Sequence, residues 1–373
     1  MKKTTTRLLA ILLAALLLCG ILPMAAGAAG IDITDKFTDP AFKAAVQQLI
    51  GKDVILDTDV AGVYGLGLVA RGIQSLSGLE YFTDLRYLNC GNFDDGKGEP
   101  VISDPTPNRL ASLPALPSGL LYLDCRNIEL EVLPALPSGL TTLRCSYNKL
   151  KTLPALPSGL PELDCSFNQI ASLPTLPDSI KHFNCYDNQL TQLPALPPGL
   201  ETISCGENQL TALPALPPSL WNLQCCFNQL TELPPLPAGL DTLMCQFNLL
   251  SRLPPLPSGI KAIYCMMNQL TELPPLPVGL TYLSCSFNQL TNIDITGLPL
   301  GVFYCEMNNL ASKSAVIGFT GIWDDVCFRF DPQNSPVGPP IVPPPAPFWS
   351  TWPPFLQWIL EYILFGWLWM RWF

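Results

Sequence analysis

At 373 residues the chain could hold two or three ordinary domains, but its 40 prolines recur mostly in pairs at a fixed interval and point to one repeating architecture. Hydrophobic residues make up 48% and charged residues 13%, which excludes an intrinsically disordered chain. The formal net charge of −10 speaks against nucleic acid as a partner, because phosphate contacts need Lys and Arg.

Residues 1–28 read as a signal peptide. Lys2, Lys3 and Arg7 form its positive start, Leu8 to Leu22 its apolar run, and Ala26-Gly27-Ala28 its small-x-small cleavage pattern. Cleavage near Ala29 removes three cations and takes the charge from −10 to −13. Leu18 before Cys19 is too large for a lipidation motif. Residues 29–62 read as an N-terminal helical cap. Asp39 suits the N-cap, Pro40 the first helical position and Gly51 the stop, while Phe42, Val46, Leu49 and Ile50 share one face.

Residues 63–310 read as about twelve repeats. Val63, Leu66, Leu68 and Ile73 form a divergent first unit, and Leu85, Leu88 and Cys90 a second. From Cys90 to Cys125 the step is 35 residues, one unit plus an insertion near 91–108 that is rich in Gly, Asp and Pro and reads as a surface loop. Ten units of 20 residues follow without a slip, with cysteines at 125, 145, 165, 185, 205, 225, 245, 265, 285 and 305.

Within a unit, Leu143 and Cys145 alternate inward, so Thr142 and Arg144 face outward from a short strand. Strands of successive units pair as a parallel sheet, roughly 55 Å long for twelve coils about 4.8 Å apart. Asn148 and its equivalents end the strand and are placed to bond turn and inter-coil backbone; Ile128 is the exception, so the ladder begins imperfectly there. The LPxLP half spaces Leu and Pro three apart, the polyproline-II period, and Pro lacks a sheet donor. The convex side is therefore expected to be extended, without helices or a second ladder.

The pattern LPxLPxxLxxLxxxxNxL resembles the short leucine-rich repeats of Gram-negative secreted effectors. The segments Asp39-Pro40-Ala41-Phe42, Asp59-Val60-Ala61-Gly62 and Gly72 to Thr83 instead resemble internalin-type surface proteins of Gram-positive bacteria. Together the resemblance covers about residues 31–331. It implies an α/β solenoid: a leucine-rich-repeat horseshoe with a parallel β-sheet on the concave face, an extended convex side and a short helical N-terminal cap. Some effectors of this repeat type carry a ubiquitin-ligase domain after the repeats; some 60 residues follow Leu310, too few for it.

Residues 311–331 read as a C-terminal cap in which Ile322, Trp323, Phe328 and Phe330 cover the last coil, and 332–347 as a proline-rich linker. Residues 348–373 form a hydrophobic tail with Trp349, Trp352, Trp358, Trp367, Trp369 and Trp372 and only two charges, Glu361 and Arg371. Tryptophan favours the membrane interface, so interfacial insertion comes first, a true span second and docking to an envelope protein third.

Fourteen cysteines in a secreted protein suggest disulfides, yet the column takes the inward position of a small hydrophobe. Buried free thiols come first, some disulfides second and metal last. Cys226 stands in an outward column, either as a reactive thiol or as an exposed bystander. The single histidine, His182, lies on the open sheet face, where Asp124, Glu162 and Asp164 are expected to be a solvated polar surface; no enzyme constellation, metal or cofactor follows. The outward columns carry Met244, Tyr264, Met266, Met267, Tyr282, Tyr304 and Met307 toward the C-terminal end. Such a patch suggests docking of a protein ligand on the concave face. The expectation is a monomeric, extracellular or cell-surface binding protein of Gram-positive type, membrane-associated through its tail, with a structural envelope protein as the alternative.

Overall fold

The computed structural model describes residues 30–92, 106–324 and 326–334. The signal peptide, most of the insertion, the linker from 335 onward and the tryptophans of the tail lie outside these residues. Among the described residues, no helix is long and apolar enough to cross a membrane.

Helix α1 (Pro40–Ile50) begins where Asp39 Oδ1 accepts from the Phe42 amide at 2.9 Å, and it ends at Gly51, whose φ of 69° needs no Cβ. The other oxygen of Asp39 accepts from the amides of Gln74 and Ser75, so one carboxylate both starts the cap helix and fastens it to the first coil. Phe37, Phe42 and Phe82 pack their rings together beneath it. Phe42 and Val46 are buried as expected, but Leu49 is half-exposed on the rim of a shallow groove beside Gly65–Leu68. Helix α2 (Asp57–Ala61) completes the cap.

Among the described residues, thirteen strands form one parallel sheet. β1 (Gly65–Gly67), β2 (Tyr87–Asn89) and β3 (Tyr122–Asp124) begin it. β4 to β11 follow every 20 residues, from Thr142–Arg144 to Tyr282–Ser284. β12 (Ile293–Asp294) leaves this sheet, β13 (Val302–Tyr304) continues it, and β15 (Phe328–Arg329) closes it after β14 (Val316–Ile317). Register is unshifted from coil to coil: Leu283 faces Ile263 and Phe303, and Tyr264 faces Met244 and Ser284. With a thirteenth strand supplied by the C-terminal cap, the sheet is about 58 Å long.

The convex side is extended over most of its length, as the LPxLP spacing predicts. It departs from that reading at the first coil, where Leu79–Tyr81 forms a short 3-10 helix, and at the last, where β12 and β14 pair as a second, two-stranded ladder. The reason for the ladder is local: Asn292-Ile293-Asp294-Ile295 replaces the proline pairs, which restores the amide donors a ladder needs. In the closing cap Phe330 is buried and Trp323 and Phe328 pack against the core, whereas Ile322 is 84% exposed and covers nothing.

The core is one continuous cluster of leucines and cysteines. The thirteen described cysteines are free. Several of the thiols donate to the strand carbonyl of the next coil, Cys125 to Arg144 O at 3.4 Å and Cys285 to Tyr304 O at 3.4 Å. Burial pushes their ionisation well up, to about 12 at Cys205 and Cys265.

The asparagine column holds the turns. Asn228 Nδ2 donates to the carbonyls of Cys205, Cys225 and Cys226 at 3.0–3.3 Å, and its Oδ1 accepts from the Leu210 amide at 2.9 Å. The amide therefore reaches back to the preceding coil. The residue before each Asn is left-handed, with φ from 46° to 58° between Tyr147 and Met307, although none is glycine. Such a conformation costs about 1 kcal/mol or more per residue, which the repeated bonds offset.

The column extends at both ends in ways the repeat alone does not reveal. Asn108, read as part of the insertion, accepts from the Arg71 and Ile73 amides and donates to Leu68 O and Cys90 O. It is the missing asparagine of the second coil, displaced by the inserted residues. Asn92 pins the base of the loop by accepting from the Asn108 amide at 2.7 Å and donating to Asn108 O at 3.0 Å. At Ile128 a backbone carbonyl replaces the side chain, accepting from Leu110 N at 2.8 Å. At the other end Gln333 Oε1 accepts from Asn308 N and its Nε2 donates to Cys305 O, so residues read as linker finish the ladder.

Candidate functional site

The strand face carries residues at two positions of each strand, and the turn adds two more. The column directly after each cysteine does not behave as an open surface. Ser146, Ser166, Cys226, Gln246 and Ser286 are all buried, Cys226 at 3% exposure. Coils about 4.8 Å apart, with a left-handed residue immediately following, leave that column little access to water. Cys226 is thus no surface thiol: the Tyr186 ring reaches across Gly206 toward it, and burial pushes its ionisation far up. The Tyr186 hydroxyl donates to Glu207.

Toward the N-terminal end the face is polar and internally paired. Tyr87 and Tyr122 stack at 4.4 Å, and the Arg144 guanidinium lies 5.9 Å from the centre of the Tyr122 ring. Asp124 is fully buried, contrary to a solvated reading, and pairs with Arg126 at 2.6 Å. The guanidinium covers the carboxylate and supplies the donors that water would otherwise give. Asp164 accepts from the Ser166 hydroxyl at 2.6 Å, while Glu162 faces His182 in register. His182 is exposed, with its Nδ1 3.0 Å from the Thr202 hydroxyl. Among the described residues, no group of three or more His, Cys, Asp or Glu is placed to hold a metal.

Toward the C-terminal end Met244, Tyr264, Met266, Met267, Tyr282, Tyr304 and Met307 are all brought onto one stretch of the face, and each is partly buried. Tyr264 and Tyr282 stack at 4.3 Å; Tyr282 meets Tyr304 edge-on at 6.2 Å. Arg329, on the closing strand, lies over the Tyr304 ring at 4.7 Å, and the Tyr304 hydroxyl donates to Val326 O at 2.8 Å. Desolvation holds the Tyr264 and Tyr282 hydroxyls above their ordinary ionisation. The rings are therefore fixed by one another and by the C-terminal cap, which is how a rigid aromatic surface binds at low entropic cost. The contribution of Arg329 was invisible in the repeat because it comes from the cap.

No protein-family model matches the chain, and no curated protein matches it. Solved structures do. YopM from Yersinia enterocolitica WA-314 is 31% identical over 75% of this chain, with a TM-score of 0.61. This chain spans 58% of that protein, less than two thirds of its length. YopM from Yersinia pestis, a leucine-rich effector protein, is 30% identical over 68% of this chain and 74% of its own, with a TM-score of 0.56. InlJ from Listeria monocytogenes, whose functional domain includes a cysteine ladder, is 24% identical over 78% of this chain and 55% of its own, with a TM-score of 0.45. The unshifted 20-residue register, the asparagine column and the likeness to the two YopM structures have one common ground: the chain belongs to the bacterial leucine-rich-repeat proteins.

Proposed function

We propose that this protein is a secreted or cell-surface binding protein whose face over residues 244–307 docks a protein ligand. The single observation that carries this is the mutually braced tyrosine set, Tyr264, Tyr282 and Tyr304, beside partly buried methionines. Aromatic and methionine side chains in such a setting are what protein interfaces concentrate. Leucine-rich-repeat folds commonly serve protein–protein interaction, and a scaffold of this kind fits binding better than catalysis. Residues 1–28 serve export in this reading, and Trp349, Trp352, Trp358, Trp367, Trp369 and Trp372 hold the monomeric chain at a membrane.

The test is capture of protein ligands by the full chain and by its Tyr264→Ala/Tyr282→Ala variant. Losing two braced aromatic anchors should weaken capture by about 30-fold or more, since one such anchor is commonly worth about 2 kcal/mol. Equal capture by both proteins sinks the site assignment. Membrane fractionation with and without residues 348–373 tests the tail; the truncated chain should leave the membrane fraction.

A further inference from the structure

The first strand of the sheet has a neighbour on one side only. In β4 the outward residues bond the preceding coil: the Thr142 amide donates to Leu121 O at 3.1 Å, and Arg144 O accepts from the Cys125 amide at 2.9 Å. Gly65 and Gly67 hold the same rank in β1, in register with Tyr87 and Asn89, and β1 ends the sheet. The Leu68 amide donates to Asn89 O and Tyr64 O accepts from the Tyr87 amide, which turns the amides and carbonyls of Gly65 and Gly67 to the open edge. Among the described residues none of these four groups has a hydrogen-bond partner.

Beside this edge, Ala45, Gln48 and Leu49 of helix α1 line a groove of about 320 Å³ together with Gly65–Leu68 and Arg71. A second groove, of about 270 Å³, shares Ala45, Gln48 and Arg71 and runs on to Thr106. Arg71 stands where the two meet. Its Nη1 donates to Gln48 Oε1 at 3.3 Å, while its Nε is buried and has no hydrogen-bond partner among the described residues. No described carboxylate forms an ion pair with it. We infer that this trench takes an extended peptide, which adds to β1 as one more parallel strand and sets its C-terminal carboxylate against Arg71.

Three physical arguments carry the assignment. First, the backbone: two donors and two acceptors, two residues apart on one edge, are what an added strand pairs with. Second, approach: neither glycine has a left-handed φ, and a Cβ at Gly65 would meet only the Tyr87 side chain, at an ordinary 3.8 Å. The turn geometry therefore does not call for glycine here, whereas close approach of another backbone does. Third, direction: Arg71 follows β1 in the chain, so a parallel strand brings its own C-terminus to the arginine. An antiparallel one would bring its N-terminal ammonium to a guanidinium instead. A carboxylate supplies the anion that the guanidinium lacks, and charge-assisted bonds of this kind are the strong ones. Side chains alternate along the added strand, so one set meets Ala45 and the half-exposed Leu49 and should be apolar. The trench lies at the opposite end of the sheet from residues 244–307 and is independent of that face.

An array of acetylated hexapeptides of varied sequence, each with a free C-terminal carboxylate, tests this on the full chain by fluorescence polarisation. Peptides that bind should carry apolar residues at alternate positions and should bind about ten-fold or more weakly as C-terminal amides. N-methylation of every second peptide amide should abolish binding in one phase and spare it in the other, because only one set of amides faces β1. Arg71→Gln should erase the preference for the carboxylate over the amide. Gly65→Pro removes an edge amide that bonds nothing within the described residues, and should weaken binding about ten-fold or more. The Tyr264→Ala/Tyr282→Ala variant should bind these peptides unchanged, so the two sites stand or fall separately. Absence of binding across the array at millimolar concentration overturns the inference, as do equal binding of acid and amide or equal loss in both methylation phases. A chain that sediments as a dimer, and as a monomer once it carries Gly65→Pro, also overturns it, since a second copy is then the occupant of the edge.

Discussion

Replacing Asn228 with Ala tests whether the asparagine column, rather than leucine burial alone, holds the coils in register. The side chain is buried at 9% exposure and makes four bonds, three as donor and one as acceptor. Each is worth about 1 kcal/mol net, and the Leu210 amide would be left buried without its acceptor, so the loss should be about 3–5 kcal/mol. Urea denaturation followed by far-ultraviolet circular dichroism measures the global cost. Because solenoids unfold in parts, exchange of the Leu210 amide measures the local one. A local loss of 3 kcal/mol speeds that exchange about 150-fold. A global loss below about 1 kcal/mol together with unchanged Leu210 exchange would refute the reasoning, because water or a carbonyl would then be replacing the amide. The Ile128 turn shows that a carbonyl can do so, but there Glu129 also takes a left-handed φ of 64°, which the regular coils do not repeat.

Arg126→Ala should cost about 3 kcal/mol in the same denaturation assay, because it strands the fully buried Asp124 carboxylate; a near-neutral result would mean that the pair is solvated. Gly206→Ala puts a Cβ 2.8 Å from the Tyr186 ring and 2.9 Å from the Cys226 sulfur, so it should destabilise by about 1–3 kcal/mol and free the Tyr186 hydroxyl from Glu207, visible in its near-ultraviolet absorbance. The core thiols ionise far more readily unfolded than folded. Their contribution is complete below the unfolded value of about 8.5 and is lost as pH rises toward about 12, by up to about 1.4 kcal/mol per pH unit per thiol. Urea midpoints should therefore fall steeply between pH 8 and pH 10, and a flat profile would show that the column is not buried as thiol.

The sequence by itself determined the solenoid, the strand positions, the inward cysteines and the helical cap. Period two within a unit and period twenty between units leave only one way to bury Leu143, Cys145 and Leu150 together, and Asp39, Pro40 and Gly51 are local signals that act within one helix. Tertiary structure decided what no period encodes. Asn108 joined the asparagine column because an insertion moved it fifteen residues without moving its partners, the carbonyls of Leu68 and Cys90. Cys226 and Asp124 are buried because neighbouring coils close over them, although alternation alone assigns both to the outer face. Gln333 and Arg329, outside the repeat, complete the ladder and brace Tyr304. Short-range pattern sets which way a side chain points along one strand; how much water it meets is set by side chains twenty or more residues away.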